Sequence, residues 1–442
     1  MDTQRKRVLM FGWEFPPVIS GGLGVATLGL CKALAPHADM LMIIPKSVPN
    51  FSIPNIELVG LNSLGKDDLA KLFKNTVKVS NHVGVKIASE TQENEADDAS
   101  EFGPYSTIAS DEYVDARFYE IYHSEVKPFE INNLYGGDVI GKVIEFSRLA
   151  VQFCLNRDFD IIHAHDWMTF LPALELKKKT GKPLVLHIHS TEYDRAGAHS
   201  KNWVYELERK AMEQADWIIP VSNYTGAICV NHYGAHWNKI KTVHNGIDLV
   251  QRTIKPKHDS TKYVIFFGRI TMQKGPEYFV EAARKVLSVQ PNIEFVMAGS
   301  GDLLTEMIER TARYGLGNKF FFTGFLNKKM LNELLAIADV YCMPSVSEPF
   351  GLSAVEAVQY GIPTIISKTS GVAEVLSGSL AIDFYDVNRF AEYIIQAIND
   401  EGLKESIVTA NNQSLKSITW ENCAEKVMDI YNLPLPPNSN FT

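Results

Sequence analysis

The stretch Asp339 to Ile366 reads DVYCMPSVSEPFGLSAVEAVQYGIPTII. It opens on a short apolar run at 339–343 and turns through Pro344 to Ser347. Helix-forming residues follow at 352–360, Gly361-Ile-Pro363 ends them, and a second apolar run occupies 363–366. Strands joined through a helix lie parallel, and strands covered on both faces read as near-continuous apolar runs. The same alternation extends outward. Apolar runs at 262–267, 292–298 and 319–322 precede this stretch, and Gly275-Pro276 opens a helix over 276–290, where proline suits a first turn. In the front half, strands are expected at 7–11, 39–45, 159–163, 183–188 and 216–220. The pattern is β-α-β-α twice over, so the fold class is α/β, with doubly wound parallel sheets carrying helices on both faces.

The chain has 442 residues, 45% hydrophobic and 21% charged, an ordinary globular composition. One core rarely grows past roughly 250–300 residues, so two domains are expected. The break falls at 245–262, where the turn cluster His244-Asn-Gly-Ile-Asp248 leads into a lysine-bearing segment without a core pattern. This gives an N-terminal domain at 1–248, a C-terminal domain at 262–418, and a tail at 419–442. In the tail, Trp420, Ala424, Val427, Ile430 and Tyr431 share helical spacing, and such a helix could pack on either domain. Two doubly wound domains facing each other form a cleft at the carboxyl ends of their sheets, where ligands of such sheets bind.

Five scattered cysteines without a C-x-x-C pair argue against a disulfide scaffold or a cysteine zinc site, and fit a reducing cytoplasm. No run reaches the roughly 18 apolar residues of a membrane span, and Glu14, Pro16 and Pro17 interrupt any signal-peptide reading of the start. The net charge is −9, and residues 90–130 hold twelve acids against Arg117 and Lys127. The rest of the chain is therefore nearly neutral and offers no basic face for nucleic acid. The acidic window reads as a solvated insertion within about 50–130, or as a mobile lid that contacts an acceptor.

Several groups could carry chemistry. Ser20-Gly21-Gly22-Leu23-Gly24 lies between the first strand and the helix 25–35; it is either a tight turn or a loop whose N–H groups approach a phosphate. A dinucleotide fingerprint fails there, because Thr27 replaces the third glycine and the next strand ends at Lys46, not an acid. Arg269 and Lys274 follow the first strand of the second domain and suit a diphosphate whose charge grows as it leaves. Glu348 and Glu356 lie in a loop and one turn into the following helix, and carboxylates suit vicinal sugar hydroxyls. His163-Ala-His165-Asp166-Trp167 and His187-Ile-His189 end two strands, each presenting two imidazoles on one face. One histidine of each pair is expected in the core, which leaves His189 and Asp166 nearest the strand ends. Trp167 is either packing or a platform for a sugar. No metal site is expected, since no cysteine or H-E-x-x-H accompanies these histidines. Hydrolase-elbow and P-loop motifs do not occur.

Taken together, these residues resemble the retaining nucleotide-sugar glycosyltransferases of the GT-B fold, over nearly the whole chain outside about 50–130. The segment from Pro344 through Glu356 to Pro363 is a specific match, and Ala298-Gly-Ser-Gly301, Phe322-Thr-Gly324 and Ser370-Gly-Val-Ala-Glu374 fit at the family's intervals. Phe15-Pro-Pro with Gly21-Gly-Leu-Gly24, and His163-Ala-His-Asp166-Trp167, are similar to bacterial glycogen and starch synthases. The resemblance implies two Rossmann-like domains and a C-terminal helix, from Thr419-Trp420-Glu421, that crosses back to the first domain. It implies that Gly21 and Gly22 approach the donor diphosphate, that Asp166 and His189 sit at the transferred glucose, and that His189 meets its 6-hydroxyl. Arg269 and Lys274 would hold the diphosphate, with backbone N–H groups at Phe350, Gly351 and Leu352 completing the cradle. Glu348 would meet the 3-hydroxyl side of the sugar and Glu356 the ribose hydroxyls. The sequence departs from the glycogen synthases at Ile19-Ser20, where that group usually has Lys-Thr before the glycine pair.

The expected reaction is transfer of glucose from ADP- or UDP-glucose to the non-reducing end of an α-1,4-glucan, with retention. No cofactor or metal is expected beyond the nucleotide-sugar donor. The alternative is a retaining glucosyl- or mannosyltransferase acting on a small-molecule or lipid-linked acceptor.

Overall fold

The computed structural model describes residues 5–19, 21–74, 110–197, 201–249 and 260–436. The described residues contain two six-stranded sheets in which every pairing is parallel. The first holds β1 (Lys6–Phe11), β2 (Ala38–Ile44), β3 (Ile56–Gly60), β4 (Ile161–His165), β5 (Leu184–Ile188) and β6 (Trp217–Pro220), in the order β3-β2-β1-β4-β5-β6. The second holds β7 (Lys262–Phe267), β8 (Ile293–Ala298), β9 (Phe320–Gly324), β10 (Val340–Met343), β11 (Thr364–Ser367) and β12 (Leu380–Ile382), in the order β12-β11-β10-β7-β8-β9. The two topologies are the same. In each, strand order reverses once, between β1 and β4 in one sheet and between β7 and β10 in the other. Ligands of doubly wound sheets bind beyond the carboxyl ends at such a reversal. Four segments leave those ends: the loop to Gly22 after β1, Asp166 after β4, Gly268 to Lys274 after β7, and Pro344 to Gly351 after β10.

The chain divides into two units. One comprises Met1–Val221, Thr225–Val243 and Cys423–Thr442; the other comprises Ser222–Tyr224 and His244–Asn422. The core of the second unit is built from β7, β8 and the helix Pro276–Val289, with Phe266, Phe279, Phe295 and Phe320 buried together. The helix Trp420–Tyr431 buries all five of its apolar-face residues, and from Cys423 onward it belongs to the first unit.

Two strands, β3 and β12, were not anticipated. Both are short edge strands, and neither shows the unbroken burial of the central strands. β3 also corrects the expected insertion over about 50–130, since 56–60 pairs with β2 as part of the sheet. Within the acidic window, Asp111–His123 is a helix capped by Ser110, which accepts from the Tyr113 N–H at 3.3 Å. It buries Val114 and Ile121, so this part of the window is packed structure and not a solvated excursion. Residues 75–109, and with them much of the acidic run, lie outside the described residues.

Candidate functional site

In the first unit, register decides which side chains meet. His165 pairs with His187 across β4 and β5, so His163, His165, His187 and His189 all stand on one face of the sheet. They form two tiers. His163 Nε2 meets His187 Nδ1 at 3.2 Å, and His165 Nδ1 meets His189 Nε2 at 2.9 Å. The tiers stack, with 4.6 Å between the rings of His163 and His165 and 4.4 Å between those of His187 and His189. The Tyr431 hydroxyl closes the far end of one tier on His163 Nδ1. Burial pushes all four imidazoles below their usual range, His189 to about 3. His163, His165 and His187 are fully buried, so three histidines, not two, belong to the core, and only His189 reaches partly toward solvent.

Nitrogens of His163, His165 and His187 lie within 4.8 Å of one another, a set of imidazoles that could in principle ligate zinc or copper. Their rings, however, are within 20° of parallel, and both nitrogens of His163 are already engaged. Lone pairs lie in the ring planes, so these rings must turn before they can converge on one ion.

Asp166 follows β4 with φ 57°, a left-handed conformation uncommon for a non-glycine residue and concentrated at functional sites. Its Oδ1 accepts from the N–H groups of His189 at 2.7 Å and Ser190 at 3.4 Å. Burial nevertheless outweighs these bonds and raises its carboxyl to about 7. Asp166 and His189, predicted separately, are thus brought together. Trp167 is buried edge-on against Trp203, which makes it a packing group.

Two features here escaped the sequence reading. Glu14 is fully buried and accepts from the Gly21 N–H at 3.1 Å and from the Tyr135 hydroxyl, so it ties down the glycine loop. Gly22 opens the helix Gly22–Leu34, which no side chain of the described residues caps. Behind Ser190, Arg195 donates to Ser190 Oγ at 2.7 Å, to Glu192 at 2.9 Å and to Glu208 at 2.7 Å. All three charged groups are buried, and burial raises Glu208 to about 8. The Thr191-x-x-Asp194 capping box marks the start of this short helix but gives no sign of the buried cluster.

In the second unit, Gly275 takes φ +62° and lies so close to Pro344 that a Cβ would stand 2.2 Å from its carbonyl oxygen. That contact seats the Arg269–Lys274 loop against the segment after β10. Lys274 Nζ forms an ion pair with Glu348 Oε2, and Ser345 Oγ donates to the same oxygen at 3.4 Å. Arg269 donates to Gln273 at 3.3 Å. The Gly268–Ile270 turn is clasped by the Ala298–Gly301 loop: Gly268 N–H donates to Ala298 O at 3.0 Å and Ile270 N–H to Ser300 O at 2.9 Å. Glu348 is held from behind as well, through backbone bonds of 2.9 Å to Thr369 and from Gly371.

Phe350 and Gly351 lead into the helix Leu352–Gln359, whose start has no side-chain cap among the described residues. A helix start of this kind leaves backbone N–H groups without an intrahelical acceptor. Glu356, one turn on, is bound by Lys328 at 2.7 Å. Thus Lys274 and Glu348 meet directly, while Glu356 has a separate cationic partner that the sequence did not indicate.

Comparison with known proteins follows the same division. Residues 105–251 match the family described as Glycosyltransferase Family 4, and residues 250–414 match Glycosyl transferases group 1. An uncharacterised glycosyltransferase of Methanocaldococcus jannaschii is 30% identical over 63% of this chain and 76% of its own length. The chain belongs to the GT-B glycosyltransferases. Among other relatives of this glycosyltransferase, the glycogen synthase of Mycobacterium tuberculosis is 25% identical over 96% of this chain and 94% of its own. The catalytic domain of starch synthase IV from Arabidopsis thaliana, bound to ADP and acarbose, superposes with a TM-score of 0.66 at 15% identity, covering 97% of this chain and 99% of that one. Among the described residues, no helix is long and apolar enough to cross a membrane.

Proposed function

We propose that this glycosyltransferase is a retaining enzyme of the glycogen synthase kind, working in the cytoplasm. It moves glucose from ADP-glucose or UDP-glucose to the non-reducing end of an α-1,4-glucan. The observation that carries the reading is the Lys274–Glu348 pair at the uncapped start of the helix Leu352–Gln359. It sets a cation and free N–H groups for a phosphate beside a carboxylate for sugar hydroxyls. The near full-length likeness to a glycogen synthase supports the choice of substrate class.

In this reading the donor diphosphate takes Lys274 from Glu348, and Arg269 and the N–H groups at Phe350, Gly351 and Leu352 join it. Glu348, released, accepts from the sugar's hydroxyls, and Glu356 exchanges Lys328 for the ribose hydroxyls. As the glycosidic bond breaks, negative charge grows on the diphosphate, and fixed cations and helix N–H groups stabilise it more in the transition state than in the ground state. That electrostatic clamp takes the place a metal ion holds at many phosphate-transfer sites. No side chain is assigned as base for the acceptor hydroxyl; the departing phosphate takes that proton on the same face, which retains configuration. Asp166 and His189, at the end of β4 and β5, would present the glucosyl ring, and Gly21 and Gly22 would border the phosphates.

The test is incubation with glycogen and a panel of radiolabelled nucleotide sugars. Glucose entering glycogen through α-1,4 bonds from ADP- or UDP-glucose is the expected result. Incorporation only into a small acceptor, or only from a non-glucose donor, overturns the glucan reading.

A further inference from the structure

A hydrogen bond between two neutral imidazoles holds a single proton, and where that proton sits fixes what the outer ring can offer a ligand. His165 and His189 form such a pair: Nδ1 to Nε2 at 2.9 Å, centroids 5.2 Å apart and rings 24° from coplanar, an edge-to-edge contact. At its inner end, His165 Nε2 is buried and has no hydrogen-bond partner among the described residues. Two arrangements are possible. If His189 donates, His165 carries its proton on Nε2 and leaves a buried N–H unpaired. If His165 donates, its bare Nε2 lone pair is what remains unpaired. Orphaned buried N–H groups are the rarer defect.

We infer that His165 is a positioning residue: it donates from Nδ1 to His189 Nε2 and so fixes the His189 proton on Nδ1. His189 then presents an N–H donor, not a lone pair, on the side away from His165. This rests on the reading that His189 meets the transferred sugar, and it sharpens that reading. Such a ring can donate to a sugar oxygen but has no free nitrogen with which to take the acceptor's proton, consistent with a reaction that uses no protein base. The surroundings hold the arrangement in place. His163 and His187 stack on the pair with ring planes 9° apart, and Tyr431 anchors His163 from the tail helix. Asp166 fixes the His189 backbone N–H at 2.7 Å, which sets the ring's distance from β4.

The experiment is a long-range proton–nitrogen correlation spectrum of the full-length protein labelled with ¹⁵N-histidine, with His189 assigned by the signals lost in His189→Asn. The expected spectrum gives His189 a protonated Nδ1 and a bare Nε2. In His165→Phe, which keeps a flat ring in the stack but removes the donor, the bare His189 Nε2 resonance moves downfield, to that of an imidazole nitrogen accepting no hydrogen bond. In His165→Gln, whose amide can still donate, that resonance stays near the wild-type position. With glycogen and the active donor, His165→Phe loses about tenfold in kcat, the scale of one hydrogen bond, with donor KM within about twofold, and His165→Gln recovers most of it. A wild-type His189 protonated on Nε2, or an Nε2 resonance unmoved by His165→Phe, overturns the inference. If His165→Phe does not fold, the wild-type spectrum alone decides. Because the spectrum needs no substrate, absence of glucosyl transfer with a Nδ1-protonated His189 would count against the proposed reaction and not against this assignment.

Discussion

At the residue scale, the proposed reaction rests on a few side chains of the second unit whose removal has distinct consequences. Lys274→Ala leaves the buried Glu348 carboxylate without its cation and, in the proposed reaction, leaves the departing diphosphate without one of its positive partners. Turnover should fall by roughly 10²-fold or more, the scale of deleting one preorganised electrostatic donor, and Arg269→Ala should fall similarly. Steady-state kinetics with the active donor check both, and near-normal turnover in the pair removes the clamp assignment. Gly275→Ala tests the seat of the clamp. Its φ of +62° and a Cβ 2.2 Å from the Pro344 carbonyl oxygen mean that backbone must move to admit a methyl group. A loss of at least ~2 kcal/mol is expected in denaturant unfolding of the second unit, beyond the ~1 kcal/mol of left-handed strain alone. The placement of Arg269, Lys274 and Glu348 in loops after β7 and β10 could be read from the sequence because such loops announce themselves by glycine, proline and charge. Glu14 and the Arg195–Glu192–Glu208 cluster could not. A buried acid looks like any surface acid until its partners, more than a hundred residues away in the case of Tyr135, are known.

At the element scale, β4, β5 and the residue after β5 carry four imidazoles whose protonation burial disfavours, while burial raises two acids nearby. The consequence for stability has a definite sign. The histidines' folded values lie below the usual 6.5, so the unfolded chain binds up to four more protons as pH falls below 6.5, and stability is lost on acidification. Asp166, raised to about 7, and Glu208, raised to about 8, work the other way: the folded state holds two protons that the unfolded chain releases above about pH 5. Between pH 5 and 6 these six groups should therefore bring net uptake of about two protons on unfolding, at ~1.4 kcal/mol per pH unit for each. Below about pH 4 the acids are protonated in both states, and the slope should steepen. Urea midpoints measured across this range check the prediction; a midpoint independent of pH from 6 to 5 contradicts it. The central strands were legible because burial on both faces makes them apolar throughout, and His-x-His spacing placed each pair on one face. What the sequence could not supply was the register between β4 and β5, which joins the pairs into tiers. Edge strands β3 and β12 were missed for a related reason: with one flank open they need no unbroken apolar run.

At the scale of the whole molecule, the chain order does not follow the units. The first unit is assembled from three separate segments, the last being Cys423–Thr442, whereas His244–Asn422 forms the second almost without interruption. The tail is a structural part of the first unit. Ala424, Val427, Ile430 and Tyr431 are buried, and the Tyr431 hydroxyl satisfies His163 Nδ1 within the histidine tiers. Deleting Cys423–Thr442 should therefore destabilise the first unit selectively, since each fully buried aliphatic or aromatic side chain contributes on the order of 1.5–3 kcal/mol. Differential scanning calorimetry is expected to show one melting component moved down by many degrees while the other, assigned with the isolated fragment 244–422, keeps its temperature. Tyr431→Phe separates packing from hydrogen bonding. It retains the ring but strands a buried imidazole nitrogen, and should lower stability by about 1–3 kcal/mol in the same component. Equal downward shifts of both components on deletion would mean that the tail supports the second unit as much as the first, contrary to its place in the first unit.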